Sequence, residues 1–218
     1  GDASDGQSGG SAYGSTTNPI SLGSSGGGAG NISQFSGAGG GLVVLNVTGT
    51  TTIEGSISAN GGAGDSSSGS EGAGGGSGGG INITTGGLEG SGSVTVSGGE
   101  GFDDTEDGGG GGGGRIAISY SSGSTANLTW QAYGGNGPGA AETGAAGTIY
   151  TKSSSESNGT LNVNNNDQVI ESETPLMENK TYDTLTIASS SNFVVPTSTT
   201  LSYTTLDIGD GGILTERG

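Results

Sequence analysis

Gly112-Gly113-Gly114-Arg115-Ile116-Ala117-Ile118-Ser119-Tyr120 joins a glycine run to a short alternating apolar segment, and the same junction recurs along the chain. It returns as Gly39-Gly40-Gly41 before Leu42-Val43-Val44-Leu45-Asn46-Val47, and as Gly78-Gly79-Gly80 before Ile81-Asn82-Ile83-Thr84. Gly147-Thr148-Ile149-Tyr150-Thr151 is a weaker copy. β-branched residues alternating with polar ones read as strands. Glycine costs about 1 kcal/mol relative to Ala inside a helix, so a chain with 53 glycines in 218 residues disfavours helix throughout. The expected class is all-β.

A second element follows each junction. Ile57-Ser58-Ala59-Asn60, Val94-Thr95-Val96-Ser97 and Trp130-Gln131-Ala132-Tyr133 each run into a G-G-x-G sequence, with spacings of 37 and then 36 residues. Leu161-Asn162-Val163-Asn164 reads as a degenerate fourth copy, with asparagine replacing glycine. In such strands alternate residues share a face, so Ile57 with Ala59, Val94 with Val96, and Trp130 with Ala132 are expected inward. A third element is a loop, often acidic, as at Asp65 to Glu71 and Asp103 to Asp107. One such repeat cannot bury its apolar face alone, so neighbouring repeats must stack, as in a solenoid. Long runs such as Gly108 to Gly114 are expected to form polyglycine-II-like threads packed side by side, because only glycine lets backbones approach so closely.

From about Asp167 glycine thins out. Leu185-Thr186-Ile187 is echoed by Leu206-Asp207-Ile208, 21 residues on, and Phe193 by Ile213, 20 residues on. The reading divides the chain into glycine-rich coils over 1–166 and compact rungs over 167–218 that continue the same solenoid. Gly1-Asp2-Ala3-Ser4-Asp5-Gly6 resembles the loop at Gly64 to Gly69, so the chain is expected to open midway through a repeat, with neither end capped. Either flanking parts of a longer chain or copies of itself, stacked head to tail, would then cover the ends.

The glycine runs leading into Arg115 to Tyr120, the tract Gln131 to Gly137, Ala145 to Lys152 and Asn158 to Asn166 resemble glycine-rich right-handed parallel β-helix regions of large microbial surface and adhesin-like proteins. Leu185 to Thr200 is similar to rungs of the same class. The resemblance implies a parallel β-helix, an extracellular or cell-surface location and a structural or adhesive role. It supplies no site residues.

Composition removes several function classes. Twenty-one acids against 4 bases give a net charge of −17, the wrong sign for phosphate backbones or anionic membranes. No apolar run is long enough to insert in a membrane. With no histidine and no cysteine, Ser–His and Cys–His nucleophiles and most zinc sites are impossible, and the chain is not expected to be an enzyme. The strongest local signal for a cofactor is calcium. Asp103, Thr105 and Asp107 before Gly108 match the first half of an EF-hand loop, but Gly114 stands where the bidentate Glu belongs. Glu106 and, from a neighbouring coil, Asp65 or Glu71 could add ligands. Tyr133 is the candidate for stacking on a surface glycan, whereas the lone Trp130 reads as core. N-x-[ST] sequons stand at Asn31, Asn46, Asn82, Asn127, Asn158 and Asn179, weak signals in a chain so rich in Ser and Thr. The leading expectation is a subunit or stalk segment of an extracellular filament, matrix or adhesin. The alternative is a secreted carbohydrate-binding or ice-binding module.

Overall fold

The computed structural model describes residues 1–4, 6, 8–28, 35–65, 71–169 and 171–217. The described chain is all-β with parallel sheets. Its strands are β1 (Leu42–Ile53), β2 (Ser56–Ser58), β3 (Gly80–Gly90), β4 (Ser93–Thr95), β5 (Arg115–Gly123), β6 (Thr129–Gln131) and β7 (Thr148–Ser153). They continue as β8 (Thr160–Asn164), β9 (Thr174–Pro175), β10 (Lys180–Ala188), β11 (Asn192–Pro196), β12 (Leu201–Ile208) and β13 (Ile213–Arg217). Seven form one sheet in the order β1-β3-β5-β7-β8-β10-β12, and two three-stranded sheets, β2-β4-β6 and β13-β11-β9, accompany it.

The repeat read from the sequence sets the register. Val43, Ile81, Ile116 and Ile149 lie in one row, and Leu45, Ile83 and Ile118 in the next. Ile57, Val94 and Trp130 are aligned in the second sheet. The four isoleucines Ile81, Ile83, Ile116 and Ile118 are fully buried with Val94 and Val96, while Ile57 and Trp130 pack at the margin of this first core. The inward faces expected for Ala59, Val96 and Ala132 are those observed.

The two halves bury opposite faces of the large sheet. Ala117 and Tyr150 adjoin Ile116 and Ile149 in sequence, so their side chains point the other way. They belong to a second core with Leu161, Val163, Leu185, Ile187, Leu176 and Phe193. The change of face is made between β7 and β8, the one antiparallel pair of the large sheet, where Tyr150 lies opposite Leu161. The Asp183 carboxylate holds the turn, accepting the backbone N–H groups of Asn158 (2.8 Å) and Gly159 (3.1 Å) and the Asn158 Nδ2 (3.1 Å). Gly159 has φ +74°, where a side chain would be strained.

Two sequence expectations are corrected here. Leu161-Asn162-Val163-Asn164 is not a fourth strand of the β2-β4-β6 sheet. It folds back on β7, because the preceding turn is short and closed by Asp183. Phe193 pairs with Leu214, and Ile213 with Asn192, so this echo is 21 residues, like the Leu185–Leu206 pair.

Residues 13–19 form a strap across the large sheet. Asn82 of β3 donates to Asn18 (2.7 Å), Thr16 and Tyr182 share a buried hydroxyl–hydroxyl bond (2.7 Å), and Lys180 donates to Thr17 (2.8 Å). Burial raises the Tyr182 phenol to a pKa of about 12, against the smaller opposing effect of its Thr16 bond.

Candidate functional site: a lattice of glycine threads

Between the sheets the glycine runs are ordered and hydrogen-bonded to one another. Segment 72–80 shows the rule. Gly75 and Gly78 donate to Gly109 and Gly112, Gly76 and Gly79 donate to Gly62 and Ala59, and Gly74 and Ser77 donate to Gly27 and Ser24. Consecutive residues therefore address three different neighbours, and every third residue returns to the same one. The carbonyls do likewise: Gly74 and Ser77 accept from Gly37 and Gly40, and Ala73 and Gly76 from Phe102 and Gly99.

The threads form three layers. Segments 59–65, 96–102 and 132–137, which leave the β2-β4-β6 sheet, make the first. Segments 35–41, 72–80, 107–114 and 142–147, which lead into the large sheet, make the second. Segments 23–28 and 1–4 lie on the second layer as the third. A Cβ on Gly76 or Gly111 would fall below 3.0 Å from the backbone of Ala38 or Gly76, so the spacing admits no side chain at these positions. The backbone groups of buried chain must be paired, and here the threads pair one another.

The acidic candidates gather at the far end of this lattice from the strands. Asp107 is buried: its Oδ1 accepts from the Asp104 N–H (3.2 Å), its Oδ2 from the Ala140 N–H (3.2 Å), and its own N–H donates to Ser4 Oγ (2.6 Å). Asp104 accepts from the Thr105 N–H (2.8 Å). Asp103, Thr105 and Glu106 are exposed, and Glu106 is bridged through its backbone to Glu71. Asp65 sits at the end of its own thread, donating its N–H to Phe35, and most of the loop after it, 66–70, lies outside the described residues. The Asp103–Asp107 loop thus turns its innermost carboxylate onto backbone N–H groups. Among the described residues no three His, Cys, Asp or Glu side chains converge as a metal cluster.

Tyr133 is half-buried, with its carbonyl tied into the first layer by the Gly98 N–H (2.8 Å). Trp130 packs on the first core and donates Nε1 to the Thr125 carbonyl (3.3 Å). The sequons at Asn82, Asn158 and Asn179 use their side chains on Asn18, Asp183 and the Thr200 N–H, while Asn31 lies outside the described residues.

Sequence reasoning missed a groove of about 1160 Å³ that runs along the second layer between segments 1–4 and 23–28. Its floor is mostly glycine backbone. At its strand end lies Arg115, whose burial lowers its pKa and whose buried Nε bonds to none of the described residues. At the other end the Gly1 nitrogen donates to Gly110 (2.8 Å). The third-layer segments that flank the groove carry little regular periodicity, so nothing in the sequence alone announced it. Chemically this scaffold offers ranks of backbone donors and acceptors at fixed three-residue spacing.

No protein-family model, curated protein or solved structure matches the chain.

Proposed function

We propose that this chain is a structural segment of an extracellular filament, matrix or adhesin stalk, built as a β-solenoid whose coils are joined by polyglycine-II-like threads. Copies stack end to end through the large sheet. The observation that carries this reading is that, among the described residues, nothing pairs with the outer edges of the two outermost strands of that sheet. β1 leaves Leu42 and Val44 exposed, and β12 leaves Tyr203 and Ile208 exposed. Open edges with apolar side chains are templates for pairing with another chain. β1 and β12 run in opposite senses, because the sheet reverses once at β7–β8. A translated copy would therefore join antiparallel, repeating between chains the geometry already used within one.

The threefold bonding of the threads supports the polyglycine-II-like description, since that helix has three residues per turn and no internal hydrogen bonds. A chain stiffened by paired backbone instead of a large apolar core suits a stalk exposed to solvent on all sides. Calcium has no necessary place in this reading. The extracellular location rests on the composition and the resemblance of the repeats.

Negative-stain electron microscopy across a concentration series tests the reading. Regular fibres are expected from the native chain and short, unjoined rods from Val44→Lys, which places a charge on the β1 edge. Unjoined native particles at every concentration would sink end-to-end stacking.

A further inference from the structure

Among the described residues, the third layer of the thread lattice leaves one position unfilled. Each third-layer thread lies over two second-layer threads. Segment 23–28 spans 35–41 and 72–80: Gly23 and Gly26 donate to Gly40 and Gly37, and Gly74 and Ser77 donate back to Gly27 and Ser24. Segment 1–4 spans 107–114 and 142–147: Gly1 and Ser4 donate to Gly110 and Asp107, and Glu142 donates back to Asp2. Between them lies the pair 72–80 and 107–114, and over this pair is the groove.

The backbone groups facing the groove are those the pattern requires. Leu42, Gly80, Arg115 and Thr148 are aligned across the large sheet. Counted back from them, Gly75 and Gly78 stand where Gly37 and Gly40 stand, and Gly109 and Gly112 stand where Gly74 and Ser77 stand. In the filled positions those carbonyls accept and those N–H groups donate. At the groove, the carbonyls of Gly75 and Gly78 accept from none of the described residues, and the N–H groups of Gly109 and Gly112 donate to none of them. Two donors and two acceptors thus stand three residues apart along this slot, on a floor that is mostly glycine, where Ser77, between Gly75 and Gly78, turns its Oγ to Ser24.

We infer that this slot binds an extended glycine-rich peptide segment of a partner chain, held by main-chain hydrogen bonds in the same three-residue repeat. The chain's own occupants of the two flanking positions define the ligand chemistry. They are Gly-, Ser- and Ala-rich, and Gly23 and Gly26 have no room for a side chain against the second layer. A ligand with a glycine at every third residue would meet the same condition. The inference rests on the hydrogen-bond lattice and does not depend on filament formation.

Gly112 supplies a clean test. A Cβ built on it meets nothing nearer than the Ala145 carbonyl oxygen at 3.9 Å, so a side chain there has open space, and Ser77 at the matching position turns its Oγ onto Ser24 of the thread above it. A fluorescein-labelled (Gly-Gly-Ser)4 peptide, titrated with the native chain and read by fluorescence polarisation, should bind saturably. Gly112→Val should keep the native melting temperature and weaken binding by about tenfold or more, as expected from blocking the slot and losing its hydrogen bonds. An Ala-Pro repeat peptide of the same length should not bind. In parallel, hydrogen exchange should find the Gly109 and Gly112 amides fast in the chain alone and slowed by peptide. Absence of binding by the native chain, or equal binding by a folded Gly112→Val, overturns the inference. Slow exchange without peptide also overturns it. If independent of concentration, it would assign the slot to residues 8–12, which wall it; if it grew with concentration, to a second copy.

Discussion

A Cβ on Gly111 would overlap the Gly76 carbonyl, yet one on the adjacent Gly112 would stand in open space. Gly111→Ala should therefore destabilise the chain at or above the top of the about 1–3 kcal/mol range for overpacking, whereas Gly112→Ala should change it by less than about 0.5 kcal/mol. Thermal unfolding of the two variants is the check, and equal losses would refute the close-packed lattice. Asp107 is a second residue with a specific assignment. Its carboxylate caps two backbone N–H groups, so Asp107→Ala should cost about 1–3 kcal/mol by leaving them unpaired. That loss should be the same in calcium and in chelator; a loss seen only in calcium would make the loop an ion site. The sequence identified Asp107 as special through its D-x-T-x-D-G context. It could not reveal that the partner is Ala140, 33 residues away, because that proximity is created by neighbouring threads. Likewise, the glycines announced close approach but not which of them face a neighbour and which face the groove. That depends on the threefold rotation of each thread and its register, which a continuous run such as Gly108 to Gly114 does not encode.

At the level of elements, β1 to β7 were legible because apolar residues recur at matched positions beside glycine junctions. β8 was not. Leu161-Asn162-Val163 has the same alternation as Val94-Thr95-Val96, and alternation identifies a strand without identifying its partner. The decision lies in the turn at Asn158-Gly159 and in Asp183, which comes later in sequence and gathers three N–H groups of that turn. Those hydrogen bonds, led by that of the Asn158 N–H, hold the Asp183 carboxyl below the usual Asp range. A depressed folded pKa contributes stability that is present above the unfolded value and is lost as pH falls through the folded one. Asp183→Asn should therefore flatten the acid limb of stability below about pH 4. An unaltered acid limb would remove Asp183 from its role at the face change. The strap makes an opposite, alkaline prediction. The Tyr182 phenol is raised to about 12, so between its unfolded value near 10 and that pH the unfolded chain releases a proton that the folded one keeps. Stability should fall by about 2–3 kcal/mol across that window. Tyr182→Phe should abolish this fall, and urea unfolding at successive alkaline pH values would detect it.

For the whole molecule, the proposed assembly sets edge pairing against charge. The chain carries −17, and two of its four bases are already in ion pairs, Lys180 with Glu178 (3.4 Å) and Arg217 with Glu173 (2.7 Å). Copies would therefore repel at long range, while the proposed pairing of the β1 and β12 edges would act only on contact. Screening shortens the reach of the repulsion from about 30 Å at 0.01 M salt to about 3 Å at 1 M, and leaves backbone pairing and apolar burial largely intact. Fibre length should thus increase with ionic strength. Charge relief alone could also produce nonspecific clumping, and Val44→Lys separates the two causes. The added lysine reduces the net negative charge, so a mechanism of mere neutralisation would assemble it more readily than the native chain. Edge pairing makes the opposite demand, because a charged side chain on β1 must be desolvated at the junction. Light scattering across a salt series, with electron microscopy at each point, should therefore show salt-promoted fibres for the native chain and none for Val44→Lys at any salt. Fibres from the variant equal to those of the native chain would exclude the β1 edge as the joint.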